Sequence, residues 1–223
     1  MMELTEAIRE RHSVRSYTDQ RIEGPVRDKL QLMVDQCSRE SGLHIQLVLD
    51  EPRAFGGRMG GYGHFKNVRN YIALVGKKRK GLEEDCGYYG EKIVLYAQQL
   101  GLNTCWVGLT FSKTPSAFEI GPGEKLVLVI AIGYGDGRGL PHKSKKSQEV
   151  AHSKVQVPGW FRSGVEYALL APTAMNQQKF TLTLTGPGSV KARAGLGFFS
   201  KVDLGIVKYH FEIGAGDAPF DWE

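Results

Sequence analysis

The 223 residues carry 29 Lys and Arg against 24 Asp and Glu, a formal charge of +5, with 41% hydrophobic and 24% charged residues. That length buries a sizeable core without staples. The mild basicity does not by itself imply a nucleic-acid partner, and without an apolar run of about 18 residues no transmembrane helix is expected. The opening MMELTEAIRERHS is charged and lacks the apolar stretch of a secretory signal. Cys37, Cys86 and Cys105 show no C-x-x-C or metal-ligand spacing, so they are expected as buried free thiols in a reducing cytoplasm, with no metal site.

Leu4, Ala7, Ile8 and Arg11 recur at helical spacing and predict a helix from Leu4 to about Arg11. A second helix follows Pro25, with Val26, Leu30, Met33, Val34 and Cys37 on one face. HIQLVLDEP (44–52) predicts a strand stopped by its proline, AFGGRMGGYGHF (54–65) a glycine-rich loop, and YIALVG (71–76) a short buried strand. YYGEKIVLYAQQLGL carries the strongest helical stripe, through Ile93, Val94, Ala97 and Leu100, with Gly101 placed as a left-handed C-terminal cap. NTCWVG leads into a short strand ending at Gly108, and EKLVLVIAIGYG (124–135) predicts a central strand apolar on both faces. GDGRGLPHKSKKSQ is a basic, glycine-rich loop. FRSGVEYALL predicts a helix that must stop near Ala171, because Pro172 disfavours the helical conformation before it. KFTLTLTG alternates Phe180, Leu182 and Leu184 with threonines, a half-buried strand, and 201–216 predicts a last helix through Leu204, Val207, His210 and Phe211. The expected class is α+β, a mixed and mainly antiparallel sheet flanked by helices. Two halves are expected, about 1–135 and about 151–223, joined by the basic loop 136–150.

Three stretches have chemical potential. In ERHSVRSY (10–17), an extended chain puts Arg11, Ser13 and Arg15 on one face and Val14 on the other. Two guanidiniums flanking a hydroxyl suit a phosphate; the same residues also fit exposed arginines around a turn serine. HKSKK (142–146) would add cations to the same anion if its loop folds back. In APTAMNQQKF (171–180), small residues allow a flat ring to approach, and the amides of Asn176 and Gln178 offer both donors and acceptors; a polar loop capping a helix is the competing reading. Gly108, at the end of its strand, leaves backbone N–H groups open to a ligand. No G-x-S-x-G, H-E-x-x-H, P-loop or dinucleotide fingerprint is present.

Taken together these motifs resemble the FMN-dependent nitroreductase family. RHSVRSY resembles its R-x-S-x-R-x-F/Y opening, APTAMNQQKF its A-P-S-A-x-N-x-Q-P-W signature, and YAQQLGLNTCWVG its A-x-x-L-G-L-x-T-x-W-x-G segment. The basic loop after IAIGYG resembles the family's stretch of Arg and Lys. Two departures stand out. The Asn/Gln signature usually follows the first helices, but here it is lost from LMVDQCSRESGLHIQLVL and returns after residue 170. Lys179 and Phe180 also replace its Pro-Trp. Ordinary members are homodimers with FMN held between the arginines of one subunit and the small-residue loop of the other. The chain is therefore similar to a two-halved, single-chain pseudo-dimer branch, with two similar halves, in which the second half supplies the partner's loop.

The resemblance implies that Arg11, Ser13 and Arg15 bind the FMN phosphate and its ribityl or pyrimidine edge, with Lys143 and Lys145 joining the phosphate. Pro172, Thr173, Ala174 and Met175 would line the ring, Asn176 and Gln178 would be its amide partners, and Gly108 or Leu109 would offer an N–H near the flavin N5. The implied activity is an FMN-dependent NAD(P)H oxidoreductase that reduces a small nitroaromatic, quinone or similar acceptor by a two-step ping-pong mechanism, with no acid–base residue required for hydride transfer. The molecule would be a monomeric pseudo-dimer or a homodimer, cytoplasmic, without a membrane or nucleic-acid partner. The alternatives are another flavin chemistry, such as reductive dehalogenation or flavin breakdown, and a non-enzymatic flavin- or nucleotide-binding module. An RNA-associated protein fits less well, since the basic runs KKRK and HKSKK lack interleaved stacking aromatics.

Overall fold

The computed structural model describes residues 2–57, 63–114 and 116–223; residues 58–62 of the expected glycine loop lie outside the described residues. The first four strands are β1 (His44–Val48), β2 (Tyr71–Lys77), β3 (Asn103–Val107) and β4 (Glu124–Gly133). They form an antiparallel sheet in the order β1-β2-β4-β3. The strands alternate between two cores, as strand geometry requires. Ile72, Leu74, Leu128, Ile130 and Ile132 enter one, while Tyr71, Ala73, Val75, Val129 and Ala131 enter the other. This is why β4 reads as a continuous apolar run.

The first core is covered by α2 (Gly24–Ser41) and α3 (Leu82–Gln99). Helix α3 starts six residues ahead of the expected YYGEKIV stripe. Glu83, Glu84 and Asp85 fill its first turn, where carboxylates oppose the positive end of the helix dipole. Its far end closes as expected: Gly101 has φ +81, the Gly101 N–H donates to the Gln98 carbonyl, and the Leu102 N–H donates to that of Ala97. That double bond around a left-handed glycine is a Schellman cap. The strand at 44–52 is shorter than expected and ends at Val48, since Asp50 takes φ +53.

The C-terminal half builds a second sheet from β5 (Ala151–Ser153), β6 (Phe180–Gly186), β7 (Ser189–Ala194) and β8 (Asp221–Trp222), in that order. β6 and β7 pair antiparallel, while β5 and β8 add parallel edges. Phe180, Leu182 and Leu184 point inward as their alternation predicts. Helices α5 (Gly159–Ala168) and α6 (Ser200–Ala215) cover this sheet; the remaining helices are α1 (Leu4–Glu10) and the single turn α4 (Ser147–Val150). Among the described residues no helix is long and apolar enough to cross a membrane.

The helices over the two sheets meet where α3 packs on α6. A Cβ at Gly87 would collide with the Val202 carbonyl, and one at Gly205 with the Glu84 carbonyl. The helices touch backbone to backbone at a reciprocal pair of glycines, a contact open only to residues without a Cβ. Gly87→Ala and Gly205→Ala are each expected to lower unfolding free energy by about 1–3 kcal/mol, the usual cost of overpacking. Urea denaturation checks this, and an unchanged midpoint for both variants would contradict the close crossing.

Candidate functional site

After α1 the chain runs extended alongside β3. Ser13 bridges Thr104, the Val14 N–H donates to the Thr104 carbonyl at 3.0 Å, and Tyr17 bridges Gly135. Val14 and Tyr17 turn into the second core, and the Tyr17 hydroxyl donates back to the Val14 carbonyl at 2.7 Å. With Val14 held inward, Ser13 and Arg15 face the opposite way, into two adjoining cavities of about 790 Å³ and 390 Å³. The larger is the more polar of the two, walled by Arg11, Ser13, Arg15 and Lys66 on one side and Pro172, Thr173, Met175 and Asn176 on the other. The smaller is mainly apolar, formed by the end of β3 (Trp106 to Thr110), the 172–175 loop and the start of α6. Ser13, Arg15, Pro172, Thr173 and Met175 line both.

Arg11 is 3% exposed and sits 3.8 Å from Glu91, itself fully buried on α3. The same carboxylate accepts the Trp106 indole N–H at 2.9 Å and meets His210 Nε2 at 2.8 Å. His210 Nδ1 lies 3.2 Å from the Tyr167 carbonyl, which can only accept, so Nδ1 is the donor of that contact. Glu91 thus gathers groups from α1, β3 and α6. Burial pushes the Arg11 pKa down, with the Glu91 charge opposing. Among the described residues its Nε, the atom that faces Glu91, has no hydrogen-bond partner.

The second wall is a strained turn. Met175, Asn176 and Gln178 have φ of +50, +53 and +45, all in the left-handed region. Such conformations persist where the surroundings hold them. Asp203, at the start of α6, accepts the Ala174 N–H at 2.9 Å and the Gln177 side-chain amide at 2.8 Å. The Gln178 N–H donates to the Thr173 hydroxyl at 3.0 Å. The basic loop does fold back onto this turn, but through different atoms from those expected. The Lys143 carbonyl accepts from the amides of Asn176 (2.9 Å) and Gln178 (2.8 Å), while Lys145 donates its backbone N–H to Gln178 Oε1 (2.8 Å) and its ammonium to the Gln178 carbonyl (2.9 Å).

Of the residues singled out in the sequence, Arg11, Ser13, Arg15, Pro172, Thr173, Met175 and Asn176 meet at the larger cavity, and Gly108, Leu109 and Ala174 at the smaller. Lys143, Lys145 and Gln178 are not among the lining residues. Gln178 is 3% exposed, with both side-chain amide atoms bonded within the chain. Sequence reasoning missed Asp203, Glu91 and the pair Phe198 and Phe199. A lone acid between Val202 and Leu204 on an apolar helix face was the available signal for Asp203. Gly108 now has a packing reason as well: a Cβ there would strike the Phe199 ring.

The sequence profile of a family described as "Putative TM nitroreductase" matches residues 3–215. The chain belongs to this nitroreductase family. No curated protein matches the sequence. A solved structure described as a putative nitroreductase from Thermotoga maritima superposes on this nitroreductase chain with a TM-score of 0.66 at 23% identity, covering 94% of this chain and 82% of that one. A putative nitroreductase from Desulfovibrio desulfuricans, solved in complex with FMN, gives 0.53 at 18% identity, covering 71% and 98%. A nitroreductase family protein from Streptococcus pneumoniae gives 0.53 at 14%, covering 66% and 98%. At these identities the likeness establishes the fold.

Asp203 yields a prediction that needs no ligand. Burial raises its pKa from 3.8 to about 6, although the Ala174 and Gln177 donors pull it down. A carboxyl whose folded pKa is raised favours the native state below its unfolded pKa and loses that contribution as pH rises through the folded one. The stability advantage of the parent over Asp203→Asn should therefore shrink between about pH 4 and pH 7, by up to ~3 kcal/mol. Urea titrations of both proteins across that range check this, and parallel curves would contradict it.

Proposed function

We propose that this nitroreductase is an FMN-dependent oxidoreductase. The observation that carries the reading is that Arg11, Ser13 and Arg15 line the same cavity as Pro172, Thr173, Met175 and Asn176 within one chain, so a cationic phosphate end and a small-residue ring wall belong to one site. The residues fit the group. Arg11 brings a guanidinium to the cavity wall, Arg15 adds a forked cation that can grip a phosphate through two parallel hydrogen bonds, and the apolar cavity can take a flat ring.

A bound FMN would supply hydride-transfer chemistry between NAD(P)H and a nitroaromatic, quinone or similar acceptor, in a ping-pong sequence. The chain's own residues bind and orient. Arg15 and Ser13 hold the phosphate end, and Arg11 adds charge from behind, fixed by Glu91. Pro172, Thr173, Ala174 and Met175 form the ring wall, with Asn176 at its polar edge. Gln178, Lys143 and Lys145 act one step back, holding the strained turn in shape. Gly108 and Leu109 line the apolar cavity, where a backbone N–H donor would stabilise charge that develops on a bound ring. Phe199 against Gly108 and the Trp106 indole help keep water from that cavity. A cytoplasmic setting suits the three buried free thiols.

The test is an absorbance spectrum of the purified chain, which should show flavin bands, with FMN released on denaturation. Arg15→Ala should weaken FMN binding at least about tenfold, the loss of a charge-assisted hydrogen bond, with urea stability unchanged. Arg11→Ala is a poorer probe, because removing one partner of a buried ion pair costs about 3–5 kcal/mol of stability by itself. A colourless protein that takes up no added FMN would end this reading. An FMN affinity in the Arg15→Ala variant equal to the parent's would end the phosphate assignment.

A further inference from the structure

Among the described residues the four most exposed large apolar side chains run from Leu196, 94% exposed, through Leu140 and Met175 to Phe198 at 71%. They are not scattered. They sit on three segments, 137–146, 173–180 and 191–202, that are hydrogen-bonded side by side. The Asn176 amide donates to the Lys143 carbonyl at 2.9 Å, the Gln177 amide to the Phe198 carbonyl at 2.7 Å, and the Gly195 N–H to the Lys179 carbonyl at 2.8 Å. A Cβ on Gly197 would strike the Gln177 side chain, so the tip carrying Leu196 and Phe198 lies close against the turn carrying Met175. Single exposed apolar residues are ordinary, whereas several grouped on one face mark a contact. Leu196 lines neither cavity, so a ligand bound there leaves it in water.

Charge marks the same face. The three segments hold eight Lys and Arg and no Asp or Glu, with Asp136 and Glu149 standing just outside the first. The whole chain is only +5, so the rest of the molecule is net negative and the positive excess is gathered here. Lys179, Arg193 and Lys201 are exposed around the Leu196 tip, and among the described residues none of the three forms an ion pair. Aliphatic tips set among unpaired cations suit a lipid surface, where apolar side chains enter the acyl boundary and long basic side chains reach the phosphates. Three of the four tips are aliphatic, which gives nucleic-acid bases little to stack on.

We propose that this face docks on an anionic lipid surface, with Leu196, Phe198 and Leu140 entering the acyl boundary and the flanking cations lying at the phosphates. The contact is made by loops and needs no spanning run. It does not depend on the flavin reading.

The experiment is flotation of the full chain with vesicles of phosphatidylcholine alone and of phosphatidylcholine mixed equally with phosphatidylglycerol. A Lys or Arg near an anionic surface is worth about fivefold in affinity, so the parent should bind the mixed vesicles at least about tenfold more tightly. Leu196→Ser should weaken that binding about tenfold, the loss of one buried leucine side chain, and Arg193→Gln or Lys201→Gln about fivefold each. Lys29→Gln, an equal change in net charge at an exposed site on α2, should leave it unchanged. All four side chains are exposed, and urea midpoints should match the parent. A parent that stays in the aqueous phase, or floats equally with phosphatidylcholine alone, would overturn the proposal. Binding that the charge variants weaken and Leu196→Ser does not would also overturn it, in favour of an acidic protein partner. A solution dimer that Leu196→Ser dissociates would overturn it in favour of a second copy. Flavin-loaded protein that fails to float refutes this proposal alone, and a colourless chain that floats refutes the flavin reading alone.

Discussion

The crossing of α3 and α6, with Gly87 against the Val202 carbonyl and Gly205 against the Glu84 carbonyl, sets how the two sheets sit relative to each other. Side chains larger than hydrogen on either glycine would push the helices apart. Asp203 and Phe199 lie at the start of α6 beside this contact, so the turn they hold is placed against the end of β3 by the same packing. Glu91, one turn along α3 from Gly87, faces Arg11. The cavity walls from the two halves are thus spaced by helix packing.

Glu91 supplies the electrostatic counterpart. It is fully buried, yet it accepts the Trp106 indole and meets His210 and Arg11. A buried carboxylate is tolerated only when its lone pairs are met and its charge compensated. These partners come from α6, β3 and the end of α1, so satisfying one charge fixes three elements. It also restrains Arg11, which would otherwise be a flexible cation. On the opposite wall Asp203 does comparable work for the 174–178 turn, which holds three left-handed residues.

Much of this was legible in the sequence where periodicity carries the signal. The β4 run, the α3 stripe with its Gly101 cap, and the β6 alternation all formed as their spacing implied. β7 was missed because Lys191 and Arg193 separate small alanines, leaving little apolar contrast. β5 and β8 are too short to show a period. At the site, the extended run from Arg11 to Arg15 could be read because Val14 marks the inward face. The destinations of Lys145 and Gln178 could not. Both are suited to a ligand, and only the folded chain reveals that they bond to each other. Glu91 was hidden within an apolar helix, since one pattern serves a solvent-facing and a core-facing glutamate alike.

The account turns on two distant segments closing around one FMN. Hydrogen exchange of the protein with and without saturating FMN measures this most directly, because it reads the backbone of each segment separately. The account predicts that amides of residues 11–17 and of residues 173–178 gain protection together at the same FMN concentration, while β1 and β7 stay unchanged. Protection confined to one of the two segments, or spread evenly over the chain, would contradict it.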